Sequence, residues 1–442
     1  MNTAIGSTLS GLAQRLINLP ATVIYFGYFG LLSLMTSRAI IQSMAEIPSY
    51  HMTDWGINYA GGFVRRGFIG EILLYLSRTF GWDFATMVTS LAVVTSMAFL
   101  YFAARLFYPL RGNHWAWFLI YAPFGFVAPV LNDNIAGHKD SLLLCLAGIL
   151  FFVSATWPQG KKREVAIYVL LLLTAPLLLI HEGYVIFLPV LFVALTTLPL
   201  TIRVFAIGIL IGLIDLAVFL YSVTHAGDIV QRDAMMSAFY SEMPLAWALR
   251  PLDEYVAFFY IGQNFVEAQW FVGPRAYGGA SQLPAALIMI VGPLLVFACK
   301  IGMRRVFQNW SVMGIIAATL VTFSIVAQVL IFPIILDWTR FLSLYLMVCS
   351  LALVTRVWAS DPGWSQLPGV ATYDNGITRY TLAWFLFASM FFLKPGKVAP
   401  DIIKFDAGDV FTVAMITFAI FAGCVLGRRT ATAPGSGGKD AV

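Results

Sequence analysis

Residues 51–71 read HMTDWGINYAGGFVRRGFIGE, a crowded polar stretch between two long apolar segments. It contains two carboxylates, Asp54 and Glu71, and the adjacent arginines Arg65 and Arg66. A simple connector between apolar segments needs none of these groups. Because charged residues make up 11% of the chain, such crowding predicts a functional site. The alternative is a turn whose arginines lie at the lipid headgroups, where arginine is common.

The composition around this stretch is that of a membrane protein. Hydrophobic residues make up 60% of the chain and the mean hydropathy is +0.83, far from the average of soluble domains. Apolar runs recur between residues 21 and 426, and each could cross a hydrocarbon core of roughly 30 Å as a helix. Since lipid offers no hydrogen-bond partner to the backbone, helices are expected throughout. The four cysteines all fall in apolar runs and are interpreted as core residues rather than disulfides or metal ligands.

These runs predict an all-α, polytopic bundle of about twelve transmembrane helices. The predicted spans are 21–43, 84–108, 115–131, 141–157, 165–180, 184–199, 204–222, 284–301, 311–336, 341–355, 379–393 and 410–426. Lysine and arginine counts in the short loops orient the bundle, and the most basic of these loops, GKKRE at 160–164, is predicted to be cytoplasmic. Both chain termini are then cytoplasmic, and the protein is expected in a bacterial inner membrane.

One transmembrane domain is predicted over residues 1–426, followed by a disordered cytoplasmic tail at 427–442. Its long external loops are 44–83 and 223–283. An interfacial helix is expected in each loop, and in the first it is the amphipathic segment at 68–80. The topology fits least well after residue 393, where a loop with three lysines falls on the external side.

The predicted topology gathers the polar clusters on the extracytoplasmic side. They are 51–71, NDNIAGHKD at 132–140, His181–Glu182, the loop 223–283 and DWTR at 337–340. Ionisable groups at membrane depth are costly and are therefore candidates for function.

Three residues are predicted to be catalytic: Asp54, His181 and Glu182. Asp54 could take a proton from a substrate hydroxyl as general base, or it could cap a helix N-terminus. His181 and Glu182 interrupt an apolar run, where burial is costly unless the groups are paired. They could orient a substrate hydroxyl or neutralise one of the two arginines, or they could face water in a tight turn.

Substrate binding is predicted for a larger set. Arg65 and Arg66 suit the bidentate binding of phosphate oxygens, with headgroup anchoring as the alternative. The other predicted substrate-binding residues are Asn58, Tyr59, Asp133, His138, Lys139 and Arg340.

No metal ligand is assigned, because the spacing in 132–141 matches no strong metal signature. A divalent ion held by His138, Asp133 and Asp140 remains an open alternative, as does a helix-capping role for Asp140. Aromatic residues in the loop 223–283 suit either sugar rings or the membrane interface.

The arrangement resembles the GT-C class of membrane glycosyltransferases and the Wzy type of bacterial surface-polysaccharide polymerases. The likeness lies in a first span, then a long external loop with Asp54 and an interfacial helix, then many spans with polar groups on the same face. It implies that Asp54 is the catalytic carboxylate, an Asp or Glu in that class, of the first external loop. It also implies a polyprenyl-phosphate-linked sugar donor, for whose phosphate Arg65, Arg66, Lys139 and Arg340 are the matching basic residues. No DxD or WWDYG-like string is present.

The expected function is therefore transfer of sugar from a polyprenyl-(di)phosphate donor to a glycan or lipid acceptor at the extracytoplasmic face. The expected partners are this donor, the acceptor and membrane lipids, with no nucleic acid. The alternative is a polytopic transporter or flippase for a lipid-linked or anionic substrate. That alternative needs polar groups through the depth of the bilayer, and Asp215 is the foremost one in the predicted spans.

Overall fold

The computed structural model describes residues 21–45, 50–111, 136–243, 257–262, 312–331 and 338–360, with isolated positions at 116, 119–120, 125–126 and 294. The secondary structure in these ranges is helical and contains no strand, which confirms the all-α prediction for this part of the chain. The helices are α1 (Ala21–Ala45), α2 (Tyr50–Gly56), α3 (Phe68–Phe80), α4 (Phe84–Phe107), α5 (Asp140–Thr156), α6 (Lys161–Leu172), α7 (Thr174–Ile180), α8 (Leu188–Phe192), α9 (Ile202–Thr224), α10 (Ile229–Tyr240), α11 (Val312–Ile331) and α12 (Trp338–Ser360).

Three of the described helical segments have the length and composition of membrane spans. Phe84–Leu110, Lys161–Ile180 and Ile202–Thr224 are long and apolar enough to cross a bilayer, and each overlaps a predicted span. The predicted spans 379–393 and 410–426 and the tail lie outside the described residues, and so do 115–131 and 284–301 apart from isolated positions. The total of about twelve spans therefore stays a prediction.

Prolines make the predicted spans 165–180 and 184–199 less regular than expected. Pro176 has no backbone N–H, and its ring clashes with a helical carbonyl four residues earlier. The first span accordingly divides between α6 and α7. In the second span Pro189 opens the short α8, which has 3₁₀ turns on both sides.

The basic segment 160–164 is not the free loop that was expected. It opens α6, and Arg163 is buried. Its guanidinium donates to the carbonyls of Ser154 and Thr197, and Arg356 of α12 donates to the Thr196 carbonyl at 2.8 Å. Carbonyls near the end of a helix lack partners within the helix, so these arginines tie neighbouring helices together at this end of the bundle.

Both long loops contain a helix, as predicted, and the two loops pack together. α3 has the predicted bounds 68–80, while α10 follows α9 directly. Phe239 of α10 lies so close to Gly56 that a β-carbon there would overlap its ring. Gly70 likewise lets α3 meet the Ile57 carbonyl. The polar loop 51–71 is thus held from both sides by its own helices and by α10.

Candidate functional site

The ends of several helices meet at one buried cluster of charged side chains. Asp54 comes from α2, and Asp140 begins α5 directly after His138 and Lys139. His181 follows α7, and Arg340 lies in the first turn of α12. The fractional exposures are 3% for Asp54, 4% for His138, 1% for Lys139, 3% for Asp140, 6% for His181 and 5% for Arg340. The sequence predicted that these segments share one face of the bundle, and the structure brings them into contact.

Lys139 joins the first loop to the start of α5. Its Nζ lies 3.7 Å from Asp54 Oδ1 and donates to the Arg66 carbonyl at 2.9 Å. Burial alone raises the pKa of Asp54, but the positive charge of Lys139 and the hydrogen bond with His138 outweigh burial and hold this pKa well below its usual value. Burial lowers the pKa of Lys139, and the Asp54 carboxylate offsets part of that decrease. Asp54 is therefore an ionised carboxylate at neutral pH inside a protein interior.

Arg340 connects α12 to the rest of the cluster. Its Nε lies 2.9 Å from Asp140 Oδ2, and its terminal nitrogens lie 3.1 Å from His138 Nδ1 and 3.3 Å from His181 Nε2. The other oxygen of Asp140 accepts a hydrogen bond from the Tyr184 hydroxyl at 2.8 Å. Asp140 does more than begin a helix, because its carboxylate is the counterion of Arg340.

The two central histidines are kept neutral by their surroundings. The Gly183 N–H donates to His181 Nδ1 at 3.0 Å, while His181 Nε2 faces the Arg340 guanidinium. A protonated ring would direct an N–H at a donor on both sides. Burial lowers the pKa of His181 well below its usual value, and the charge of Arg66 lowers it further. Burial and the charge of Arg340 have the same effect on the pKa of His138.

The free energy of unfolding is expected to decrease as the pH falls below about 6.5, the ordinary histidine pKa. In the folded chain His138 and His181 stay neutral, whereas the unfolded chain protonates both. Each extra proton bound by the unfolded state lowers the stability by up to about 1.4 kcal/mol per pH unit. Thermal unfolding midpoints in detergent between about pH 7.5 and 5 would measure this slope, and replacing both histidines by Gln should flatten it. A midpoint that does not change over this range would contradict the assignment of neutral rings.

The adjacent arginines of the first loop differ in their contacts. Arg66 binds Glu182 in a bidentate manner, with Nε at 2.9 Å from Oε2 and NH2 at 2.7 Å from Oε1. Burial raises the pKa of Glu182, but the charge of Arg66 outweighs it and leaves this pKa well below its usual value. Arg66 also has a φ of 70°, a conformation that costs a residue with a side chain about 1 kcal/mol or more. Arg66 is therefore fixed in place. Glu182 neutralises its charge, which was one of the two functional roles predicted for His181 and Glu182.

Arg65 contacts the same carboxylate less closely. Its NH1 lies 3.7 Å from Glu182 Oε1, and its side chain is 22% exposed. Its Nε is buried without a hydrogen-bond partner in the described part of the chain. Of the two arginines, Arg65 is therefore the one that is bound less closely by Glu182.

The cluster has a surplus of positive charge. Four cations face three carboxylates while both histidines are neutral, which leaves a net charge of about +1. The cations are Arg65, Arg66, Lys139 and Arg340, and the carboxylates are Asp54, Asp140 and Glu182. This balance favours an anionic ligand on the side of the cluster where Arg65 lies.

A small cavity of about 30 Å³ borders the cluster at His138 and Asp140. Its walls come from α1, α4, α5 and α12 and from Phe126.

Two predicted substrate-binding residues are engaged in holding the loop. Asn58 is fully buried, and its amide nitrogen donates to the Gly56 and Met235 carbonyls at 2.9 and 3.2 Å. The backbone N–H of Tyr59 donates to Glu71 at 2.9 Å, while the Tyr59 hydroxyl is buried without a hydrogen-bond partner in the described residues. These contacts support the shape of the loop, and Asp133 lies outside the described residues.

Tyr184 and Trp55 are site residues that the sequence reasoning missed. Tyr184 binds Asp140, and the Trp55 indole N–H donates to the Gly137 carbonyl at 2.8 Å, just before the cluster residues of α5. In the sequence, each residue has the features of an ordinary aromatic residue of the core. The signal that could have identified them is their position, since Tyr184 is close to His181–Glu182 and Trp55 is next to Asp54.

Among the described residues, no group of three or more His, Cys, Asp or Glu side chains could hold a metal ion. The divalent ion that the sequence left open as an alternative at His138, Asp133 and Asp140 is not tested, since Asp133 is not in the described part. No protein family, no curated protein and no solved structure matches this chain.

Proposed function

We propose that this protein is a membrane glycosyltransferase or polysaccharide polymerase that uses a polyprenyl-(di)phosphate-linked sugar donor at its extracytoplasmic face. The observation that supports this most is the contact of Asp54 with Lys139, a buried ionised carboxylate beside a buried amine, next to the surplus charge of Arg65. A buried ion pair is a poor source of stability, so its presence favours a chemical role. Glycosyl transfer needs both parts: a base for the acceptor and cations for a leaving phosphate.

In this mechanism Asp54 accepts the proton of an acceptor hydroxyl as its oxygen attacks the anomeric carbon of the donor. The bond from that carbon to the phosphate oxygen breaks, and the phosphate leaves with the lipid. Arg65 and Lys139 stabilise the negative charge that develops on the leaving oxygen. No protein-bound intermediate is required for this single displacement.

Lys139 would also adjust the basicity of Asp54. While Lys139 neutralises Asp54, the carboxylate is a weak base because its pKa is low. A donor phosphate that attracts Lys139 weakens this contact and adds a nearby negative charge. Both changes raise the pKa of Asp54, which brings the base closer to the pH at which it works. Donor binding would thus activate the base.

Arg65→Ala is expected to weaken binding of a polyprenyl phosphate about 10- to 100-fold, because a hydrogen bond to a charged group contributes about 1.5–3 kcal/mol. Arg65 has a partly exposed side chain and only a 3.7 Å contact with Glu182, so its guanidinium can turn to a phosphate. Arg65→Lys should restore part of the affinity, since lysine supplies charge without the bidentate fork. The measurement is equilibrium binding of a fluorescent polyprenyl phosphate to protein in nanodiscs.

Arg232 supplies the matched control for this measurement. Its side chain is also 22% exposed, and it pairs with Asp233 at 3.2 Å on α10. Arg232→Ala should leave the affinity unchanged. If Arg65→Ala binds as tightly as wild type, Arg65 is a headgroup anchor and the phosphate position is wrong.

A transporter or flippase needs polar groups along a route across the bilayer. In the described spans Asp215 of α9 is a buried mid-span carboxylate, and both of its oxygens accept from the Thr174 hydroxyl at 2.8–2.9 Å. It is engaged with a neighbouring helix, whereas the charged cluster lies at one end of the bundle. The geometry therefore favours the enzyme.

Proteoliposomes that contain the purified protein and a labelled lipid-linked sugar test the two functions together. The enzyme releases polyprenyl (di)phosphate and labels an acceptor, and a flippase moves the intact lipid between leaflets. Movement of the intact lipid without release would overturn the proposal.

A further inference from the structure

The end of the bundle opposite the charged cluster holds two arginines without an acidic partner in the described part of the chain. Arg356 lies near the end of α12 that is far from the cluster, and it donates to the Thr196 carbonyl at 2.8 Å. Arg163 of α6 is buried and donates to the carbonyls of Thr197 and Ser154. Carbonyl oxygens accept these hydrogen bonds but carry no net charge. The charges of this arginine pair, Arg163 and Arg356, are therefore held on adjacent carbonyls with no counterion among the described residues.

The carboxylate nearest to the arginine pair in sequence is already engaged. Glu164 lies 3.5 Å from Arg203 of α9, and it accepts a hydrogen bond from the Tyr168 hydroxyl at 3.0 Å. Like charges repel each other, and a buried charge is costly without an opposite charge. The arginine pair therefore favours a bound anion, and its surroundings indicate the source of that anion.

The start of α6 offers an anion an open approach to the arginine pair. Lys161 and Lys162 in its first turn are exposed, and no side chain caps the first N–H groups of the helix. A β-carbon added at Gly160 would have no neighbouring atom within 4 Å. The Gln159 side chain donates to the Thr197 carbonyl at 3.4 Å, the oxygen that also accepts from the arginine pair. This turn thus brings two more cations and free N–H groups, which bind anions, to the same place.

The side chains around this turn are typical of the membrane surface. α6 opens the segment Lys161–Ile180, which is long and apolar enough to cross a bilayer. Trp157, just before it, is 42% exposed, and Val165 and Val169 of α6 are 52% and 51% exposed. Tryptophan is enriched at the level of the lipid headgroups. A ligand here would meet cations on one side and an apolar surface on the other, a combination that suits an anionic lipid.

We propose that this end of the bundle binds the phosphate of an anionic phospholipid, in the leaflet that the sequence predicts to be cytoplasmic. Arg356 contacts the phosphate through guanidinium nitrogens that do not bind Thr196. Lys161 and Lys162 approach it from the start of α6, and the buried charge of Arg163 adds to the attraction. The site is independent of the proposed function, because the charged cluster lies at the opposite end of α12.

Binding of a pyrene-labelled phosphatidylglycerol to the detergent-purified full chain tests this site. Energy transfer from tryptophan to pyrene measures binding, and unlabelled lipids compete for the site. Dioleoyl phosphatidylglycerol and dioleoyl phosphatidylcholine have the same acyl chains, but only the former carries a net negative charge. Since each nearby lysine or arginine contributes about fivefold to the binding of an anionic lipid, phosphatidylglycerol should compete at least about tenfold more strongly than phosphatidylcholine.

Two variants assign this preference to the proposed contacts. Arg356→Gln removes the charge but keeps an N–H for the Thr196 carbonyl, and it should raise the Kd of phosphatidylglycerol about fivefold. Lys161→Gln combined with Lys162→Gln changes exposed side chains alone, so it tests the site even if Arg356→Gln fails to fold, and it should raise the Kd about 25-fold. Arg232→Gln is the control, because it removes one positive charge from α10, and it should bind like wild type.

Three results would overturn this site: equal competition by the two unlabelled lipids, an unchanged Kd in both variants, or displacement of the labelled lipid by millimolar inorganic phosphate as effectively as by phosphatidylglycerol. The last of these would show a site for free anions instead. Because the assay measures lipid binding, its result does not depend on whether proteoliposomes show glycosyl transfer.

Discussion

Asp54→Asn is expected to reduce glycosyl transfer by about 100- to 10,000-fold, the usual range for loss of a general base. The asparagine has nearly the same shape and can still accept a hydrogen bond from Lys139. It cannot accept the proton of the acceptor hydroxyl. The measurement is release of polyprenyl (di)phosphate from a labelled donor in proteoliposomes, at saturating donor so that binding does not limit the rate.

Asp233→Asn is the control for this substitution, because its side chain is 62% exposed on α10. It should transfer sugar at the wild-type rate. Donor binding by Asp54→Asn should remain measurable, since Arg65 and Lys139 are unchanged, and its elution from a size-exclusion column should match wild type. Transfer at a near wild-type rate would remove Asp54 from the mechanism, and loss of binding together with a shifted elution would indicate a structural role.

Local sequence pattern was enough to locate some elements. α3 has the bounds predicted for the segment 68–80, because its amphipathic pattern is complete within one helix. His181–Glu182 interrupts an apolar run, and the buried site lies at that interruption. Asp54 was predicted as either a base or a helix cap, and its place inside α2 rather than before a helix excludes the cap.

The partners of the charged residues could not be predicted in the same way. Arg65 and Arg66 are neighbours in sequence, and only the fold shows that Arg66 binds Glu182 closely while Arg65 does not. Asn58 was predicted to bind substrate, but its side-chain amide donates to the Met235 carbonyl of α10, which is far away in the sequence. Burial and pairing depend on contacts between segments far apart in the chain, and periodicity within a segment carries no information about them.

The contacts of Arg340 could not be predicted from the sequence either, and its replacement is expected to have a large effect on stability. From the sequence it was a phosphate candidate, but in the structure its donors already face Asp140, His138 and His181. Arg340→Met is expected to lower the free energy of unfolding by about 3–5 kcal/mol, since removing one partner leaves the charge of Asp140 buried without its cation. The measurement is chemical denaturation in mixed micelles, followed by tryptophan fluorescence.

Arg78→Met is the control, because Arg78 pairs with Glu242 at 3.1 Å but its side chain is 46% exposed. An exposed pair contributes about 0–1 kcal/mol, so this variant should unfold close to wild type. Arg340→Met combined with Asp140→Asn should recover part of the lost stability, because the second change removes the unpaired charge. If Arg340→Met alone is as stable as wild type but binds polyprenyl phosphate weakly, Arg340 contacts the ligand directly and the ion pair with Asp140 is not what holds α12 in place.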